Sequence, residues 1–267
     1  MSGAIEKYNN RADKVNSLLC AGLDPDFEKL PERFQKLEFP QFEFNKWIIG
    51  QTAKYAAAYK PNMAFYESRG DRGIRELKMT MEYLQENYSD IFTICDAKRG
   101  DIGSTSEHYA KSVFDWFGFD AVTLNPYLGK DALQPFLDYK EKGCIILART
   151  SNPGAREFQD QLIGQKPLWH VVAETVAKNW NENNNCMLVA GATYPKELKT
   201  IRSIAGDMTL LVPGIGAQGG DVKAAVEAGL NSQGKGLIMS TGRAILFAEN
   251  PGQAARTLRD EINSFRS

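Results

Sequence analysis

Ile91-Phe92-Thr93-Ile94-Cys95-Asp96-Ala97-Lys98-Arg99-Gly100-Asp101 starts as a short apolar run and ends in a cluster of opposite charges. The apolar part reads as a buried strand, and the charges begin where it stops. The same arrangement recurs outward along the chain in both directions. Apolar runs fall at residues 18–23, 56–60, 91–96, 121–124, 144–148, 187–190, 209–212 and 236–239. Stretches with helical spacing separate them, at 42–55, 73–88, 106–117, 131–139, 168–181, 195–204, 221–228 and 253–265. Strands alternating with helices predict parallel strands joined by crossover helices. Eight such pairs in a chain of 267 residues predict one closed (β/α)8 TIM barrel spanning residues 1–267, with a doubly wound open sheet as the rival.

Composition bounds the partners. Hydrophobic residues make up 43% and charged residues 24%, the profile of a globular domain. A formal net charge of -1 gives no reason to expect nucleic acid or an anionic membrane as partner. The first residues lack an apolar core of signal-peptide length, and no run of 18 apolar residues exists to span a membrane. Cys20, Cys95, Cys144 and Cys186 lie far apart, each in a short apolar run, so buried free thiols and a cytoplasmic location are expected. His108 and His170 have no partner at metal-ligand spacing, so no histidine-built metal site is expected. Trp47, Trp116, Trp169 and Trp180 fall in helical stretches and are expected to pack helices onto the barrel.

In a barrel of this kind, chemistry belongs at the C-terminal ends of the strands. Polar or Gly/Pro-rich clusters follow all eight apolar runs, among them Asp24, Lys60, Asp96 to Asp101, Asn125, Arg149 to Asn152, Thr193, Pro213 to Gly220, and Arg243. Strand side chains alternate between faces, so Ile94, Asp96 and Lys98 share one face if the third strand runs that far. Phe92 and Ile94 would then fill the barrel, with Asp96 and Lys98 in its mouth. Asp96 and Asp101 bracket Lys98 and would hold its ammonium in place. That suits a reaction in which negative charge departs and a proton arrives; taken alone, the cluster could equally be a surface salt bridge. Pro213-Gly214-Ile215-Gly216-Ala217-Gln218-Gly219-Gly220-Asp221 carries four glycines in nine residues between a strand and a helix. Exposed backbone N–H groups in such a loop can bind a phosphate. Arg243, just past the last strand, supplies a fixed positive charge nearby.

Asp96-Ala97-Lys98-Arg99-Gly100-Asp101-Ile102-Gly103 resembles the D-x-K-x-x-D-I signature of the orotidine 5'-phosphate decarboxylases, in the form found in one mainly bacterial branch. Leu23-Asp24-Pro25-Asp26, Tyr59-Lys60-Pro61-Asn62, Asn125-Pro126-Tyr127-Leu128-Gly129, Arg149-Thr150-Ser151-Asn152-Pro153-Gly154-Ala155, Gly191-Ala192-Thr193-Tyr194-Pro195 and the glycine-rich 212–221 segment resemble that branch in the same order. The resemblance implies a homodimer that converts orotidine 5'-phosphate to UMP and CO2, the last step of de novo UMP biosynthesis, without metal or cofactor. It implies Lys98 as the proton donor to C6 of the pyrimidine, Asp96 as the group that holds it, and Asp101 beside the departing carboxylate. Asp101, Ile102 and Thr105 would reach in from the other subunit. Lys60 would complete an alternating Lys-Asp-Lys-Asp network, and Asp24 would bind the ribose hydroxyls. Ser151 would bond the pyrimidine ring. Pro213, Gln218, Gly242 and Arg243 would form the phosphate end, with Gln218 on a closing loop. The branch usually has small polar residues before this arginine, and here they are Thr241-Gly242. Asn125 and Thr193 are weaker candidates that strand-end position alone suggests.

Such a reaction leaves a carbanion at C6, and no motif for an organic electron sink is visible. The protein would then stabilise the charge electrostatically, with Lys98 preorganised beside it. Two alternatives remain. One is a Mg-dependent sugar-phosphate decarboxylase of the same superfamily, such as a keto-gulonate-phosphate decarboxylase. The other is a nucleotide-binding barrel without activity. The Lys98-Arg99-Gly100-Asp101-Ile102 run and the 150–155 segment weigh against the first, and the intact Asp96, Lys98 and Asp101 against the second.

Overall fold

The computed structural model describes residues 3–215 and 220–266. Its strands are β1 (Leu19–Gly22), β2 (Ala58–Lys60), β3 (Phe92–Arg99), β4 (Ala121–Leu124), β5 (Gly143–Arg149), β6 (Leu162–Ile163), β7 (Lys166–Pro167), β8 (Cys186–Ala190), β9 (Leu210–Pro213) and β10 (Leu237–Thr241). Eight of them are parallel and close in the order β1-β10-β9-β8-β5-β4-β3-β2, which decides for the barrel over the open sheet. Each of the eight apolar runs lies on one of these strands, with ends shifted by up to three residues. The strand residues are almost all buried, on the inner face against one another and on the outer face against helices. Burial on both faces is why these strands read as continuous apolar runs rather than alternating ones.

The helices start where local chemistry permits. Pro40, Pro195 and Pro251 each open a helix, where a missing N–H costs nothing. Asn250 and Asp221 cap theirs, accepting from Gln253 N at 2.9 Å and Ala224 N at 3.1 Å. The Gly70–Asn87 helix buries Leu77, Met81 and Leu84, a stripe at helical spacing that contributes about 1.5–3 kcal/mol per side chain. Among the tryptophans, Trp169 is buried and Trp47 and Trp180 pack against the core, while Trp116 is half exposed beside Lys78. The four cysteines are free and buried. No helix among the described residues is long and apolar enough to cross a membrane.

Two features lay outside the sequence expectation. The Ala4–Val15 helix closes the N-terminal end of the barrel: Tyr8 donates to the Leu237 carbonyl and packs edge-on against Phe92, and Arg11 donates to the Ala56 carbonyl and pairs with Asp90. Between β5 and β8, β6 and β7 form a small antiparallel pair. Leu162 and Ile163 of this pair are exposed, as is Phe158 in the short helix before it.

Candidate active site

β3 does not run straight to its end. Its pairing with β4 matches Ile94 to Ala121 and Cys95 to Val122, then jumps to Arg99 with Leu124. Three residues, Asp96, Ala97 and Lys98, thus face one, Thr123. Such bulges re-aim side chains at barrel rims. Lys98 takes a left-handed backbone, with φ of 49°. A non-glycine residue held there costs about 1–3 kcal/mol and persists only where its surroundings enforce it. Thr123 is the enforcing residue. Its Oγ1 accepts from Ala97 N at 3.0 Å and Lys98 N at 2.9 Å. The same hydroxyl donates to Asp96 Oδ1 at 3.0 Å.

Asp96 is the hub of the charged cluster. Lys98 Nζ lies 2.6 Å from its Oδ1, and Lys60 Nζ, from the end of β2, lies 2.6 Å from its Oδ2. Asp96 and Lys60 are buried, whereas the Lys98 side chain is half exposed toward the cleft. Burial pushes the Asp96 carboxyl up, but the ammoniums of Lys60 and Lys98 overcome it and hold the group well below the usual carboxylate range. For Lys60, burial works downward and is outweighed by Asp96 and Asp24, so its ammonium is held above the ordinary lysine value. Asp24, past the end of β1, accepts from Asn62 N at 2.9 Å. Burial raises its pKa, and Lys60 offsets this only in part.

These residues line a cleft of about 700 Å³ at the C-terminal mouth of the barrel. Asp24, Lys60, Asp96, Lys98 and Thr123 occupy one side, and Pro213, Gly214, Gly242 and Arg243 the other, with Thr150, Ser151 and Asn152 between. The size suits a nucleotide-sized ligand. A second cleft of similar volume, under the Pro251–Ser264 helix, contains none of these side chains. Arg243 is exposed, and its side chain has no hydrogen bond or ion pair among the described residues. Gly22 and Gly242 permit the ends of β1 and β10 to meet beside Asp24: a Cβ on Gly22 would stand 2.9 Å from Gly242 Cα. The Thr241-Gly242 departure therefore lies at a backbone contact rather than at an open position.

The loop carrying Ser151 is held from behind. Gln159 accepts from Thr150 N at 3.0 Å and donates to Thr150 Oγ1 at 2.8 Å. Arg149, fully buried, pairs with Asp160 at 3.0 Å and stacks its guanidinium 4.1 Å from the centre of the Tyr194 ring. Thr193 donates to the Ser151 carbonyl at 3.3 Å, which makes it part of this support. Asn125 accepts from Tyr127 N at 3.1 Å, capping a short turn outside the cleft lining. Asp101, Ile102 and Thr105 lie just beyond β3 and do not line their own chain's cleft. Asp101 accepts from Ile102 N at 2.7 Å, and Ile102 is 62% exposed. Gln218 lies outside the described residues. Sequence reasoning missed Thr123 and Asn62. A hydroxyl inside the apolar run Ala121-Val122-Thr123-Leu124 was the signal for the first.

A parallel barrel with a paired lysine–carboxylate cluster at one side of its mouth and, at the other, an arginine whose side chain has no partner among the described residues defines a barrel enzyme for a small anionic substrate. The chain belongs to the orotidine 5'-phosphate decarboxylase / HUMPS family, whose model matches residues 17–258. It is 48% identical to the orotidine 5'-phosphate decarboxylase of Cellvibrio japonicus, over 98% of this chain and 99% of that one. It is 45% identical to the corresponding enzyme of a Janthinobacterium species, over 98% of both. Among solved structures, the Leishmania donovani OMP decarboxylase superposes with a TM-score of 0.89 at 39% identity, covering 100% of this chain and 99% of that one.

Proposed function

We propose that this protein decarboxylates orotidine 5'-phosphate to UMP and CO2, the last step of de novo UMP biosynthesis, using its own side chains without metal or cofactor. The observation that carries the reading is Asp96 gripped at 2.6 Å by both Lys60 and Lys98, across the cleft from Arg243, whose side chain has no partner among the described residues. The phosphate meets Arg243 and the glycine-rich loop, including Gln218. Asp24 and Lys60 contact the ribose, and Ser151 the pyrimidine ring. This sets C6 beside Lys98. The bond from C6 to the carboxyl carbon breaks, its electron pair stays on C6, and CO2 leaves. Lys98 Nζ transfers a proton to C6, giving UMP, and the amine regains a proton from water. Because the Lys98 ammonium is in place beforehand, little reorganisation accompanies the charge that develops on C6.

Asp101, Ile102 and Thr105 complete the site of a second subunit in a homodimer. Their position outside their own chain's cleft and the exposure of Ile102 support this. Asp101 would then stand beside the departing carboxylate. All described elements belong to the barrel or pack on it, which supports a single domain over residues 1–267. Four free cysteines support a cytoplasmic location.

The assignment is tested by product analysis. Orotidine 5'-phosphate should disappear with equimolar appearance of UMP and CO2, and consumption without UMP would refute it. The shared site is tested by mixing Lys98→Ala and Asp101→Ala subunits, each inactive alone. Hybrid dimers should regain turnover, and a mixture as inactive as its parents would contradict a site built across the interface.

A further inference from the structure

We propose that Thr123 is a positioning residue for the reaction, one that sets the aim of Lys98 through both the backbone and Asp96. The inference rests on the decarboxylase reading above and deepens it. Thr123 lies on β4, opposite the bulge of β3, with its hydroxyl buried in the cleft wall. A hydroxyl has one proton to give and two lone pairs to receive, and all three are used here. The two lone pairs receive Ala97 N and Lys98 N, at 3.0 and 2.9 Å. These N–H groups lie where the regular ladder between β3 and β4 is interrupted. The proton goes to Asp96 Oδ1, at 3.0 Å.

One side chain therefore ties together the two ends of the Lys98 residue. It holds the Lys98 main chain at its positive φ, and it fixes the carboxylate that Lys98 Nζ grips 2.6 Å away. Two N–H groups donating to one oxygen polarise its O–H, which strengthens the bond to Asp96. Lys98 needs such control because its side chain is half exposed and long. Asp96 Oδ2 is held separately by Lys60, so the Thr123 bond determines where Oδ1, and with it the ammonium of Lys98, comes to rest. Valine is the isosteric replacement that keeps the volume and deletes all three bonds. Serine keeps the bonds and deletes a methyl group.

The test compares Thr123→Val and Thr123→Ser with the wild-type protein in steady-state decarboxylation and in UMP binding. A misplacement of about 1 Å in a reacting group costs about 10²-fold. Thr123→Val should lower kcat by about that factor, with UMP affinity within about threefold of wild type, and Thr123→Ser should stay within about fivefold of wild type in kcat. A structural role alone would not separate kcat from UMP binding in this way. Near-normal kcat in Thr123→Val, equal damage in the valine and serine variants, or a loss confined to KM would each overturn the inference. Should Thr123→Val fail to fold, Thr123→Ala and Thr123→Ser are compared by the same criteria, and a threonine requirement that serine does not meet counts against the inference. Failure of the wild-type protein to turn over orotidine 5'-phosphate would instead strike the underlying reading, so the two failures are distinguishable.

Discussion

On the β2–β4 side of the cleft the central charges already have partners: Asp96 holds Lys60 and Lys98, and Thr123 holds Asp96. On the β9–β10 side, the Arg243 side chain has no hydrogen bond or ion pair among the described residues, and the neighbouring lining, which includes Pro213, Gly214, Thr241 and Gly242, carries no other charge. The difference separates two tasks. The first side is organised before any ligand arrives, so charge that develops there meets fixed partners. The second has no counterion among the described residues, so under the proposed function it contributes mainly to binding. In this account binding energy from the anion end serves to place the reacting carbon against Lys98.

Substitutions can break that division of labour. The largest effect is expected for Lys98→Ala, with a loss of roughly 10⁴-fold or more in kcat and UMP binding still measurable. Steady-state assays beside calorimetric UMP titration check it, and near-normal turnover would remove Lys98 from its role. Arg243→Ala should act in the opposite sense, raising KM about 10²-fold, the equivalent of about 3 kcal/mol of charge-assisted bonding, while kcat falls less. A fall in kcat larger than the rise in KM would erase the distinction between the two ends.

Stability should follow the paired end as well. Asp96 is held below the usual carboxylate range and Lys60 above the usual lysine value. A depressed carboxyl contributes stability above its unfolded pKa of about 4, and this is lost as pH falls toward the folded value. A raised lysine contributes below its unfolded pKa of about 10.4, and this is lost as pH rises through the folded value. Asp96→Asn should therefore cost about 3–5 kcal/mol between those limits, with the deficit shrinking below about pH 4. Denaturant titrations across pH check this, and a deficit independent of pH would contradict it. The smallest effect is expected behind the ring-binding loop. Gln159→Ala removes both bonds to Thr150 and should weaken kcat/KM about fivefold, corresponding to about 1 kcal/mol.

The barrel was readable because eight apolar runs, each too short for a helix, alternate with helical stretches, and Asp96 and Lys98 were placed correctly in the mouth. The route to that placement was not readable. Strand alternation suggests a straight β3, whereas three residues bulge against Thr123 and Lys98 takes a positive φ. Register against a neighbouring strand is a tertiary fact that spacing along one strand does not encode. Thr123 looked like an ordinary strand residue for the same reason. The Ala4–Val15 plug was missed because its function depends on the barrel floor it covers, Leu237, Phe92 and Ala56. Asp101, Ile102 and Thr105 were named through resemblance alone, and among the described residues they do not line the cleft that holds Asp96 and Lys98.

The most direct test of the central claim follows the absorbance of orotidine 5'-phosphate with EDTA-treated wild-type protein and Lys98→Ala side by side. Rapid loss with UMP as product is expected in the wild type, at a rate EDTA does not change, and none in the variant. A wild-type rate abolished by EDTA and restored by Mg²⁺, or turnover that survives Lys98→Ala, would contradict that claim.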